Sequence, residues 1–355
     1  MSAINTARGA APLDDRTAAI VAGRRARHRR HARTSILLGI LVFVLFSIAL
    51  MVGNTFYGPD EVIRVILGET VPGASFTVGE LRLPRYVLAV LAGAAFGIAG
   101  VSFQTLLRNP LASPDIIGIA DGAGAAAVIG IVVLSLDGTM VSALALAGAL
   151  LTAGAVYLLS IKGGFAGTRL ILIGIGIAAM LHSVISYVLS RAAQWDIQTA
   201  MQWLTGSLNN ASWERLVPLA IAAAVIVPLM LLHGKALGAM QLGDDSAAGL
   251  GIRVTPTRLL FILGAVTLLA FATSATGPIA FVAFMSGPIA ARLTGPGANL
   301  LLPSAFVGAI LVVGGDLIGQ FAFGERYPVG VITGVLGAPY LIYLLIRTNR
   351  SGGSL

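Results

Sequence analysis

The sequence predicts an all-α integral membrane protein, on three observations. Apolar runs long enough to cross a bilayer recur from residue 36 to residue 346. Charged residues make up 11% of the 355 and the mean hydropathy is +0.91, which leaves too little polar surface to cover a soluble globule. The runs also lack the period-two alternation of a β-barrel and are much longer than its strands of about ten residues.

A helix needs about 20 apolar residues to cross the hydrocarbon core. On that measure the spans fall near 36–53, 86–107, 116–136, 139–160, 170–190, 216–232, 259–275, 277–293, 303–323 and 329–346. Their boundaries rest on punctuation: Gly-Pro pairs, Asn-Pro, or a single basic residue. Within 259–293 the stretch "TSATGPIAF" is open to two readings, a loop or a broken helix.

Before the first span stands a basic tail, residues 1–35, with Arg8, Arg16, Arg24, Arg25, Arg27, Arg29, Arg30 and Arg33. The positive-inside rule holds it in the cytoplasm. The basic part is long and no small-residue cleavage site follows 36–53, so an uncleaved anchor is expected. Most of the net charge of +8 comes from this tail, and such a segment meets anionic membrane lipid; nucleic acid is not implied. Ten spans return residues 347–355, with Arg347 and Arg350, to the same side. The intervening inside loops then carry Arg108, Lys162, Arg169, Lys235, Arg253, Arg258 and Arg292. The outside loops carry Arg64, Arg82, Arg85, Arg191, Arg215 and Arg326.

Between the second and third spans lies "LLRNPLASPDIIG", with two prolines and two charges in almost no loop. Asn109 can bond local backbone, Pro110 biases Asn109 away from the helical region, and Pro114 suits the first turn of a new helix. Asp115 would sit in that turn, where a negative charge is favourable. Later, Gly238 to Val254 forms a long inside connection. Asp244 or Asp245 is expected as N-cap, with small Ala247 and Ala248 following and Gly249 and Gly251 ending a short helix.

Glycines four apart in the spans, Gly93 with Gly97, Gly118 with Gly122, Gly315 with Gly319 and Gly330 with Gly334, point to close helix contacts within one bundle rather than to a dimer seam. Asp316, in the ninth span, is the only acid read as well inside a span. An acid there is expensive, so it should have a partner or line a wet cavity. His182, with Ser183 and Ser186 on the fifth span, is expected to make an interhelical bond.

Several chemistries are excluded. The chain has no Cys, hence no disulfide, thiol nucleophile or sulfur-ligated metal. It contains neither HExxH nor GxxxxGK[ST], so no Walker site hydrolyses ATP here, and no cluster of acids, bases or ligands suggests an embedded enzyme. The chain is a conduit in outline, with no metal site.

The stretch "LRLPRYVLAVLAGAAFGIAGVSFQTLLRNPLASPDIIGIADGAGAA" resembles the hallmark of the iron-siderophore and cobalamin importer permeases, the FecCD family of ABC transporters. Further matches follow in the family's order: "WLTGSLNNASWERL", "LGDDSAAGLGI", "GPIAFVAF" and "YPVGVITGVLGAPYLIYLLIR". Together they cover essentially everything after the tail.

The resemblance implies the type II importer permease fold over 36–346, with both termini cytoplasmic, in the bacterial cytoplasmic membrane. It implies partners: a second permease subunit, the same chain or a paralogue, two ATP-binding subunits that use ATP and Mg, and an extracytoplasmic substrate-binding protein. No cofactor is expected on this chain. It assigns Leu242, Gly243, Asp244, Asp245, Ala247, Ala248, Leu250 and Gly251 to the surface that docks the ATPase. Arg82 and Arg85 match positions that meet acidic residues of the binding protein. The family often places an Arg where this chain has Gln320, and Arg326 lies close by. A second departure is Gly287-Pro288 where the family commonly has Pro-His. Asn109, Pro110, Asp115, His182 and Asp316 are candidates for the pathway or its gate. Ferric siderophore is the implied cargo, with a lean to the ferric-catecholate branch; cobalamin and haem are alternatives. A rival class is an ion-coupled secondary transporter with inverted repeats, which would need coupling carboxylates near the midplane.

Overall fold

Residues 13–35 of the basic tail and the first span form one helix. In a computed structural model, which describes residues 13–160, 167–295, 297 and 299–351, α1 runs unbroken over Leu13–Met51. No Gly or Pro interrupts residues 24–38, and the Ala and Arg there are strong helix formers, so no break marks the expected boundary at residue 36. Lys162 lies outside the described residues.

A short helix α2 (Pro59–Ile66) and a π-helical segment (Ser75–Arg82) lead into α3 (Leu83–Leu106), the most enclosed span. A 3-10 turn at Pro114–Ile117 precedes α4 (Ile119–Val132), and α5 (Gly138–Ser160) and α6 (Gly167–Ser190) follow. Next come α7 (Gln194–Leu204), α8 (Trp213–Leu232) and two short helices, α9 (Gly234–Met240) and α10 (Asp244–Gly249). The chain ends with α11 (Val254–Thr276), α12 (Val282–Thr294), α13 (Leu301–Phe321) and α14 (Val329–Ser351). Among the described residues there is no strand.

Helix α3 is the hub, packed by α13, α11, α12, α8 and α1, while α4, α5 and α6 form a second group joined to it through α11. Small residues set the spacing. A Cβ on Gly93 or Gly97 would collide with the backbone of Gly308 or Ser304 in α13, and one on Gly100 with Ala283 in α12. Gly122 meets Gly148 and Thr152 in the same way, so these glycines serve packing within the bundle. Gly334 is the exception, with open space around it.

Eight helices of the described residues are long and apolar enough to cross a membrane. Helices α4 and α12 occupy the other two expected positions but have only 14 and 13 residues. At 1.5 Å per residue each spans about 20 Å, short of a hydrocarbon core of about 30 Å. Each begins after a non-helical segment. Before α4 the chain makes the 3-10 turn, with Gly118 at φ +80°; before α12 it runs irregularly through Gly277–Phe281, with φ +71° and +62° at the two ends. The stretch "TSATGPIAF" is thus an interruption between two helices. Asp115 lies in the 3-10 turn and not in the first turn of the third span, which opens at Ile119; its side chain lies outside the described residues.

Polar contacts distinguish the two ends of the bundle. At one end, Thr34 of α1 bonds the Leu293 carbonyl (3.4 Å) and Arg108 reaches the Met240 carbonyl (3.2 Å). This basic end gathers residues expected inside. The far end gathers Arg82, Arg85 and Arg326, all expected outside, together with Asn209.

Candidate functional site

Three places hold the residues singled out from the sequence. At the far end, Arg82, Arg85 and Arg326 ring one cavity of about 460 Å³ with Asn54, Asn209 and Gln320. Their guanidiniums are not equally free. Arg82 is 9% exposed; its Nη1 donates to the carbonyls of Leu50 (2.8 Å) and Met51 (2.9 Å), and Nη2 to that of Thr55 (2.7 Å). Two of these carbonyls belong to the last turn of α1, which lacks intrahelical donors and carries partial negative charge. Arg82 therefore clasps the end of α1, with Tyr57 stacked 5.1 Å away, and does not present its charge outward as expected.

Arg85 is turned inward as well. Its Nε and Nη2 bind the two carboxylate oxygens of Asp316 at 2.9 and 2.7 Å, and Nη2 also donates to Asn209 Oδ1 at 3.0 Å. Asp316 is 1% exposed and takes a further bond from Gln320 Nε2, which reaches Tyr86 Oη as well. The intramembrane acid thus has the partner its cost demands. Gln320, standing where an Arg was expected, donates to Asp316 without adding charge. Of the three expected docking arginines, Arg326 is the exposed one, bonded to Asn54 Oδ1 at 3.2 Å.

The second place is a cavity of about 620 Å³ bounded by Leu111, Asp121, Leu204, Phe281, Phe284 and Val331, among others. Both interrupted helices contribute to its wall. Irregular backbone at membrane depth is tolerated where it lines a cavity, which gives the two breaks a physical reason. Asp121 is the polar anchor of this wall. His182 Nε2 on α6 lies 3.0 Å from Asp121 Oδ1 on α4, the interhelical bond expected of that histidine. Nothing around Asp121 in the sequence sets it apart, although it stands inside the 116–136 run. The acid in the first turn of the third span is Asp121 and not Asp115.

The third place is the basic end. Asn109 Oδ1 accepts from the Leu111 amide at 2.9 Å, so the Asn-Pro corner is closed by its own side chain as expected. Arg108, Asn109 and Pro110 line a cavity of about 280 Å³ together with Gln104, Gly287 and Pro288. The Gly238 to Val254 connection holds the end of α9 and all of α10. The N-cap of α10 is Gly243 at φ +109°, not an aspartate: Asp244 follows it, and its carboxylate is drawn to Arg108 and Arg258 instead of to the helix amides. Ala247 is buried beneath, whereas Asp245, Ala248 and Gly249 are exposed, flanked by Leu242 (68% exposed) and Leu250 (66%). Nearby Arg292 stacks on Tyr340 and Tyr343 of α14.

Comparison with known proteins agrees with this architecture. Residues 40–347 match the model of the FecCD transport family. The chain is 38% identical over 299 residues to the ferric enterobactin transport system permease protein FepG of Escherichia coli K12, covering 82% of this chain and 88% of that one. It is 36% identical over 320 residues to the iron(3+)-hydroxamate import system permease protein FhuG of Bacillus subtilis 168, covering 87% and 95%. A solved metal-chelate type ABC transporter in an inward-facing conformation shares the fold, with a TM-score of 0.78 at 23% identity over 88% of this chain and 99% of that one. In this family ATPase activity lies in separate subunits, in keeping with the lack of a Walker motif. The chain belongs to the FecCD transport family, as a multi-pass transport subunit of the bacterial cytoplasmic membrane.

Proposed function

We propose that this chain is one permease subunit of an ATP-driven importer of ferric siderophores. It pairs with a second permease subunit, the same chain or a paralogue. Two ATP-binding subunits, using ATP and Mg, dock at the basic end, which is cytoplasmic. A substrate-binding protein delivers cargo to the far end, where Arg326 is the cation free to meet it. The cargo passes along the cavity at Asp121, Phe281 and Val331.

The observation that carries this reading is the exposed face of α10. A short helix of small residues, between Leu242 and Leu250 and with Asp245 turned to solvent, leaves apolar area uncovered at the end where an ATPase must act. The relatives named for ferric enterobactin and iron(3+)-hydroxamate support the choice of cargo.

The test is uptake of a ferric siderophore into proteoliposomes that hold this chain with its permease partner, the ATPase and the binding protein. Uptake should require ATP and collapse on Asp245→Arg, which puts a bulky cation on the docking face. Uptake driven by a proton or sodium gradient with no ATPase present would replace this reading with a secondary transporter. Asp316, the acid such a transporter would use, is held by both Arg85 and Gln320 and is not a free coupling carboxylate.

A further inference from the structure

Two helix ends 136 residues apart in sequence are tied together at the basic end. Helix α3 stops in a left-handed cap: the Asn109 amide donates to the Gln104 carbonyl (3.0 Å) and the Arg108 amide to that of Thr105 (3.2 Å), which places Arg108 at φ +51°. The end of α10 has the same cap, with Ile252 donating to Ala247 (3.1 Å), Gly251 to Ala248 (2.9 Å), and Gly251 at φ +84°. Glycine holds this conformation without strain, and an arginine does not. The strained residue at the end of α3 is also the one whose side chain is held. Arg108 Nε donates to the Met240 carbonyl at 3.2 Å and Nη2 to Asp244 Oδ1 at 3.0 Å, while Asp244 Oδ2 accepts from Arg258 Nη2 on α11.

We infer that Arg108, Asp244 and Arg258 form an electrostatic strap that makes the Asn-Pro corner move with α10. The inference rests on the reading of α10 as the ATPase contact. Asp244 is the shared carboxylate at the head of α10, and a displacement of that helix pulls on the corner through Arg108 and on α11 through Arg258. Arg108 passes the motion to Asn109 and Pro110, its neighbours on the cavity at the end of α3. The strained backbone separates this contact from an ordinary surface ion pair. At this position glycine would cap α3 more easily, and only the arginine reaches Asp244. The three residues are positioning residues; none of them needs to touch cargo.

The assembled importer in proteoliposomes tests the strap through the cargo imported per ATP hydrolysed. Arg108→Gly is the discriminating variant, because glycine relaxes the cap while the strap is cut. Its ATPase rate should stay within about twofold of the parent while cargo per ATP falls about tenfold. Asp244→Asn should lower cargo per ATP in the same direction whatever it does to the ATPase rate, since Asp244 also stands on the docking face, and Arg108→Lys, which keeps a cation within reach of Asp244, should recover much of the ratio. The chain has no cysteine, so Arg108→Cys combined with Asp244→Cys offers a second measurement: a short bis-maleimide linker between the two thiols should restore the ratio that the unlinked pair loses. Unchanged cargo per ATP in Arg108→Gly overturns the strap. Equal loss of ATPase and uptake also overturns it, since that outcome places these residues in subunit assembly. Failure of the parent importer to require ATP is read first in the same vesicles, and it overturns the proposed function itself.

Discussion

The two ends of the bundle use the same chemical groups in opposite ways. At the far end Arg85 grips both oxygens of Asp316, a carboxylate that is 1% exposed. At the basic end Arg108 and Arg258 each take one oxygen of Asp244, which is 47% exposed. Burial makes the first pair permanent. Neither charge can be left alone in a low-dielectric interior, so the pair pins α3 to α13. Water around the second keeps its contribution to stability small, so it can tie α10 to the Asn-Pro corner without pinning either to the rest of the bundle.

The comparison is broken most severely at the buried pair. Asp316→Leu, which strands the Arg85 cation, should cost about 3–5 kcal/mol, whereas adding Arg85→Met to it should recover most of that loss. Thermal melting of the purified protein in detergent compares the two; a double variant as unstable as the single one would show that the pair is not the source of the cost. Next in size is Arg82→Ala. Losing charge-assisted bonds to three carbonyls should cost about 2–3 kcal/mol in the same melt. Proteolysis should also show the end of α1 opening first.

Gly97→Ala should destabilise by about 1–3 kcal/mol, since its Cβ would run into the backbone of Ser304 and Ala305 rather than a side chain that can yield. Gly334→Ala, with nothing within 4 Å, should be neutral or stabilising by up to about 1 kcal/mol. The pair of melts tells packing glycines from incidental ones. The smallest effect belongs to the basic end: Asp244→Asn should change stability by less than about 1 kcal/mol, and by less again in high salt. A loss as large as that of Asp316→Leu would erase the contrast between the two ends.

Much of the architecture was legible in the chain itself, because the signals involved are local. Hydropathy over about 20 residues places a span wherever a membrane must be crossed. Basic residues between spans sort the two sides. The cost of a charge in hydrocarbon requires a partner for Asp316 whatever the fold. The Asn109 side chain closes its own turn two residues on, and His182 finds the interhelical bond that a lone histidine in a span needs. Motifs such as "RNPLASPDIIG" pointed to the family because they recur in order along the chain.

What stayed hidden depended on residues far apart in the sequence. Nothing near Arg82 says that its guanidinium will be used up by carbonyls of Leu50 and Met51, more than 30 positions earlier; two arginines at the top of a span look alike until α1 is packed beside them. Arg85 and Asp316 meet across 231 residues. The head of α10 resembled an aspartate cap, yet Arg108 and Arg258 outcompete the helix amides for Asp244. The shortness of α4 and α12 could not be read from hydropathy, which scores an irregular apolar segment and a helix alike. Apolar length and charge placement mark out the candidate spans and sort the basic residues between the two ends; the third dimension decided which charges are spent inside the bundle and which stay exposed. A guanidinium satisfies the acceptors that packing brings within about 3 Å, and sequence separation has no bearing on that distance.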